Sequence, residues 1–129
     1  MPPIEHLQRL PDYHVEALLR QGIFTTGLLL EVSETSTRRQ YLADQIGSTT
    51  NDVSSWRDEA LLLNLANFGP DEQLLFTQAG LVGLSDVLAL PLDDFRRRLH
   101  RAARALDGEP PDDLIIEGWW DQAHTLHEE

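Results

Sequence analysis

The chain repeats itself at an offset of 58 residues, and this constrains its fold more than any other feature. Leu7 pairs with Leu65, Leu10 with Phe68, Ala17 with Leu75 and Leu18 with Phe76. Gly22 pairs with Gly80, Ile23 with Leu81, and Leu29 and Leu30 with Val87 and Leu88. Each copy reads helix, tight hairpin, helix, glycine cap, apolar residue, helix. Repeating units bury their faces against each other. Two copies of about 28 residues with a helical pair between them therefore imply one all-α body. Leucine supports this: 23 Leu far exceed Val plus Ile, which favours helix over strand. No stretch alternates with period two for long enough to need a sheet.

Turn residues mark the helix ends. The segment 13–21 stops at Gly22, a natural left-handed cap, and Thr25 or Thr26 caps a short helix through Leu30. Thr37 is the expected cap of a helix from Arg38 to Ile46 that Gly47 closes. Ser48 or Thr49 starts a longer one with Val53, Trp56, Ala60 and Leu63 at helical spacing. Asn67-Phe68-Gly69-Pro70 breaks the chain, Asp71 to Ala79 is helical, and Ser85 is expected to cap Asp86 to Leu90. Pro91 suits the first position of the next helix, whose buried stripe is Leu92, Phe95, Leu99, Ala102 and Leu106. After a loop over 107–112, a last helix runs from about Asp113 to near the end. The expected organisation is a single domain over residues 1–129. Repeat one covers about 4–31, a linking helical pair about 37–60, repeat two about 62–90 and C-terminal helices about 91–128.

Composition removes several chemistries. There is no cysteine, hence no disulfide, thiolate nucleophile, zinc finger or iron–sulfur site. All ten basic residues are arginine, so a Walker-type phosphate loop and Schiff-base chemistry, which need a lysine amine, are out of reach. No Gly-x-Ser-x-Gly, Gly-x-Gly-x-x-Gly or His-Glu-x-x-His motif occurs, and nothing marks a carboxylate pair as perturbed. The net charge of −12 repels nucleic acid and anionic lipid at long range. The exception is residues 91–106, where Arg96, Arg97, Arg98, Arg101 and Arg104 outnumber Asp93 and Asp94. The apolar runs are far shorter than the ~20 residues of a membrane span, and no secretory leader precedes them; the expectation is a soluble cytoplasmic protein.

The two units look like helix-hairpin-helix motifs. Their order resembles the bacterial family called domain of unknown function 4332, a tandem helix-hairpin-helix domain. The resemblance rests on Arg39-Gln40-Tyr41-Leu42-Ala43-Asp44-Gln45-Ile46-Gly47 leading to Val53 and Trp56, on Leu65-Ala66-Asn67-Phe68-Gly69, and on Trp119-Trp120-Asp121-Gln122-Ala123. It covers almost the whole chain and implies a fold, since the family's name assigns no activity.

The hairpins depart from the family's Gly-hydrophobic-Gly pattern. The second reads Asn67-Phe68-Gly69 and keeps one glycine, with Asn able to adopt a left-handed conformation. The first reads Arg9-Leu10-Pro11, with none. Hairpins of this kind that bind DNA offer backbone N–H groups to a phosphate. Pro11 has no N–H to give, and Asp12, Asp71 and Glu72 place negative charge where phosphate would sit. Both hairpins read as degraded phosphate sites.

Residues 38–57 also read as a helix-turn-helix that would offer Thr50, Asn51, Ser54, Ser55 and Arg57 to a groove. Its arginines Arg38, Arg39 and Arg57 are cancelled by Asp44, Asp52 and Asp58, so a packed helical pair is the preferred reading. Arg97, Arg101 and Arg104 share one helical face, suited either to a carboxylate-bearing partner or to a solvated surface paired with Asp93 and Asp94. Trp119 and Trp120 point about 100° apart: one completes the core with Ile116, Ala123 and Leu126, and the other is a candidate interface anchor. His124, His127 and Glu128 form a loose cluster without a metal-binding scaffold. Together these features point to a non-enzymatic protein–protein interaction or assembly module. It needs no cofactor or metal, binds another protein, avoids membranes and disfavours nucleic acid. Its arginine face and its acidic hairpins and Asp107–Asp113 loop are complementary enough for head-to-tail self-association. The rival is a nucleic-acid binder that uses the Arg38/Arg39 end or the arginine helix.

Overall fold

The structure is a computed structural model and describes residues 2–128, with the side chain of Glu128 outside the described set. It is all-α. A short 3-10 helix, Ile4–His6, precedes α1 (Asp12–Arg20), α2 (Thr26–Val32), α3 (Ser36–Ile46), α4 (Thr50–Leu63), α5 (Pro70–Gln78), α6 (Leu84–Leu88), α7 (Leu92–Ala105) and α8 (Asp113–Glu128). Among the described residues the extended pairing is a single β-bridge, Pro3 to Thr25.

Side-chain oxygens at the helix starts set most boundaries. Thr25 accepts from the N–H of Leu28 at 3.2 Å and Thr49 from that of Asp52 at 3.1 Å. Each satisfies one orphan donor of a first turn. Four expectations need correction. Thr35, not Thr37, caps α3, accepting from the Arg38 N–H at 3.1 Å. Ser85 lies inside α6 rather than capping it; the Asp86 carboxylate reaches back to the N–H groups of Val82 (2.9 Å) and Gly83 (3.1 Å) and closes that end. Pro91 is the residue before α7 rather than its first, with an extended backbone. Leu106, placed in the buried stripe by its spacing, lies past the end of α7 and is 38% exposed.

The chain divides into two compact units, Met1–Asn64 and Leu65–Glu129. Within the first, α1 packs on α3, α2 on α4, and α3 on α4. Its core gathers Ile4, Leu18, Leu29, Val53, Trp56 and Leu62. Within the second, α5 packs on α7, α6 on α8, and α7 on α8, around Phe76, Leu81, Phe95, Leu99, Ile116 and Trp119. These three pairings correspond helix for helix; the first unit also packs α2 on α3.

The correspondence extends to individual hydrogen bonds. Gly22 (φ +80°) and Gly80 (φ +78°) take the left-handed conformation that costs other residues energy. The N–H of Ile23 reaches Leu18 O at 3.0 Å, and the N–H of Leu81 reaches Phe76 O at 2.8 Å, the same bond 58 residues on. For the last helix of each unit the offset becomes 63, because both α7 and the loop after it are longer than α3 and its loop. Val53, Trp56, Glu59, Ala60 and Leu63 then match Ile116, Trp119, Gln122, Ala123 and Leu126. The helical pair over 37–60 is therefore grouped with the first hairpin, and α7 and α8 with the second.

Candidate functional site

In the first hairpin the backbone donors are already occupied. The carboxylate of Glu59 comes from the middle of α4 and is 1% exposed. Its oxygens accept from the N–H of Gln8 at 2.6 Å and from the N–H of Arg9 at 3.0 Å. The Arg9 guanidinium lies against the same helix, bonded to Asp58 Oδ2 at 3.0 Å and Ser55 O at 3.1 Å. Leu10 is buried, and Pro11, extended at φ −67°, opens α1 without an N–H. Two backbone donors beside a guanidinium suit an anion, and here the chain's own carboxylate occupies those donors. Burial pushes the Glu59 pKa up, and the N–H groups of Arg9 and Gln8 oppose that rise.

The second hairpin closes by shorter routes. Asn67 adopts φ +58°, the left-handed conformation its side chain tolerates. Glu72, in the first turn of α5, accepts the N–H of Gly69 at 3.0 Å. Gln122 on α8 accepts the N–H of Ala66 at 2.9 Å, and the Trp119 indole donates to Ala66 O at 2.7 Å. Phe68 packs edge-on against Phe76, ring centres 4.9 Å apart, and against Trp119 at 6.2 Å. Gln122 is the match of Glu59 and Ala66 the match of Gln8, so the last helix grips the hairpin in both units.

The arginines of the helix-turn-helix reading serve the fold. Arg57 donates to Leu30 O at 2.8 Å and Ser33 Oγ at 3.2 Å, Arg39 to Ser33 O at 2.8 Å and Glu34 O at 3.1 Å, and Arg38 to Glu31 O at 3.1 Å. All three cap the C-terminal end of α2, where carbonyls lack intrahelical partners. Burial, and then the charge of Arg39, pull the Arg57 pKa down.

On α7 the structure separates the arginines into two groups. Arg96 is the bridging one, bonded to Asp93 at 3.1 Å and Glu117 at 3.0 Å and lying 3.4 Å from Asp113; it ties α7 to α8. Arg97 pairs with Asp94. Arg101 and Arg104 are exposed, as is Arg98, and among the described residues none of the three meets a carboxylate. Arg98 and Arg101 instead flank a cleft that includes Gln78.

Trp119 is the core member of its pair, 3% exposed. Trp120 is half-buried, with its indole donating to Leu90 O at 3.0 Å and its ring 4.0 Å from that of His124. His124 Nδ1 lies 2.8 Å from Trp120 O. His127 is exposed, and the Glu128 side chain of that cluster lies outside the described residues. Among the described residues no group of three or more His, Asp or Glu is placed to hold a metal ion, and no helix is long and apolar enough to cross a membrane.

Residue spacing alone does not single out Glu59. Its signal is a charge inside the stripe Val53, Trp56, Ala60, Leu63, three residues after the tryptophan. In the comparisons with known proteins, the model of a family described as domain of unknown function (DUF4332) matches residues 10–126. No curated protein and no solved structure matches.

Proposed function

The chain belongs to the DUF4332 family, and from that premise we propose that it is a non-enzymatic interaction or assembly module of the cytoplasm. In this reading the two hairpins are helix-hairpin-helix elements that have become structural. One observation carries it: the N–H groups of Gln8, Arg9, Ala66 and Gly69 are held by the side chains of Glu59, Gln122 and Glu72. Phosphate binding at a hairpin needs those donors free. The capping roles of Arg38, Arg39 and Arg57 weaken the rival reading at the linking pair in the same way. What the fold leaves on offer is the exposed arginine face of α7, including Arg101 and Arg104, with Arg97 beside it and Trp120 at half exposure. Arginine forks there suit carboxylates of another protein.

Fluorescence anisotropy with labelled duplex DNA and single-stranded RNA at low salt tests this reading. The expected outcome is no saturable binding. Binding that weakens steeply with salt and disappears in Arg97→Ala/Arg101→Ala favours the nucleic-acid binder instead. Affinity capture from the native cell supplies the positive arm: proteins retained by the wild type are expected to be lost with Arg98→Ala/Arg101→Ala/Arg104→Ala.

A further inference from the structure

The second unit contains a groove of about 420 Å³ whose lining combines apolar and acidic groups. Leu106 and Ile115 supply apolar surface beside the buried Leu75 and Trp119, and Asp71, Glu72 and Glu109 supply carboxylates. Among the described residues none of these three acids is paired with a cation. Leu106, which helical spacing assigned to the core, lines this groove and is 38% exposed. An arginine side chain matches such a surface: its methylene stem covers apolar area while its planar head reaches carboxylates.

The same unit also carries the complementary element. Arg98, Arg101 and Arg104 follow one another at intervals of three on α7, exposed and without carboxylate partners among the described residues. The chain's other arginines are engaged. Arg9, Arg20, Arg38, Arg96 and Arg97 pair with acids, and Arg39 and Arg57 bond to carbonyls. We propose that the Asp71/Glu72/Glu109 groove receives the Arg98–Arg101–Arg104 face of a second copy of this chain. The inference rests on the reading of the protein as an interaction module and names one partner for it.

Two copies at −12 each repel one another, so the balance between repulsion and contact decides the outcome. At physiological ionic strength the screening length is about 8 Å. That screens repulsion between distant surface charges, while ion pairs partly buried by docking are screened much less. Each contact joins one groove to one arginine face, so a copy lacking either element still supplies the other.

Sedimentation equilibrium of the full chain at physiological salt tests this directly. Each pair keeps one groove and one arginine face open, so for a contact with Kd on the order of 0.1 mM the wild-type average mass is expected to rise at least about twofold between dilute and millimolar samples. Arg98→Ala/Arg101→Ala/Arg104→Ala alone and Asp71→Ala/Glu109→Ala alone are expected to stay monomeric. An equimolar mixture of the two is expected to form a one-to-one complex. Every altered residue is exposed, and unchanged helical circular dichroism verifies that each variant folds. Monomeric wild type throughout, variants that associate like wild type, or a mixture that fails to pair would each overturn the proposal. If self-pairing fails while arginine-dependent capture of other proteins persists, the interaction-module reading stands and only this partner falls.

Discussion

The two hairpins occupy equivalent places in their units yet are closed by different means. The third residue of α5 is Glu72, whose carboxylate caps the Gly69 N–H from within its own turn. The matching residue of α1 is His14, buried 5.1 Å from the Trp56 ring. The match of Gly69 is Pro11, so the first hairpin has no N–H there to cap. The donors it does have, Gln8 and Arg9, find their acceptor about 50 residues away, in Glu59 on α4. The second unit keeps the equivalent contact in a weaker form, with the Gln122 amide on a single N–H. A hairpin donor group must be satisfied from somewhere; the last helix of each unit supplies that acceptor, a buried carboxylate in the first unit and an amide in the second.

Four substitutions test that contrast. Glu59→Ala leaves the donors of Gln8 and Arg9 without their acceptor, at ~1–3 kcal/mol for each such group that stays buried. A loss of about 2–4 kcal/mol is expected in chemical denaturation, the largest effect of the set; a loss below that of Glu72→Ala breaks the comparison. Glu59→Gln makes the first unit resemble the second and keeps one oxygen, so a loss of about 1–2 kcal/mol is expected.

That variant also carries a pH signature. Burial raises the Glu59 pKa in the folded protein above its unfolded value. A raised acid contributes stability that is complete below its unfolded pKa and is lost as pH rises through its folded pKa. The wild type therefore gains on Glu59→Gln as pH falls from neutral into the acid range. A gap that narrows on acidification contradicts the assignment. Glu72→Ala removes a local cap, costing about 1 kcal/mol. Gln122→Ala is expected to cost less than about 0.5 kcal/mol, because Ala66 is exposed and water replaces the lost acceptor.

Features written in local chemistry were legible in the sequence. Gly22 and Gly80 marked helix ends because left-handed backbone favours glycine, the pairs Thr25/Thr26 and Ser48/Thr49 marked helix starts, and Asn67 marked the second bend. Trp119 and Trp120 divide between core and partial exposure, as adjacent positions on one helix require. Choices between neighbours were less legible: Thr35 and Thr37 carry the same capping chemistry, and the structure uses Thr35. Reach along the chain was not legible. The repeat was readable only to residue 88, because the offset shifts at α7, which is longer than α3, and again at the longer loop before α8, and with it went the match of Glu59 to Gln122. The groove in the second unit also depends on Leu106 leaving the helix, which periodicity cannot show.

The central claim is that the first hairpin's donors belong to Glu59 and are not free for a phosphate. Amide NMR of Gln8 and Arg9, followed through an oligonucleotide titration at low salt, tests it most directly. The expected result is two amides that exchange slowly, do not shift as oligonucleotide is added, and lose their protection in Glu59→Ala. Saturable shifts of these two amides in the wild type, at oligonucleotide concentrations that leave the rest of the spectrum unchanged, would contradict it.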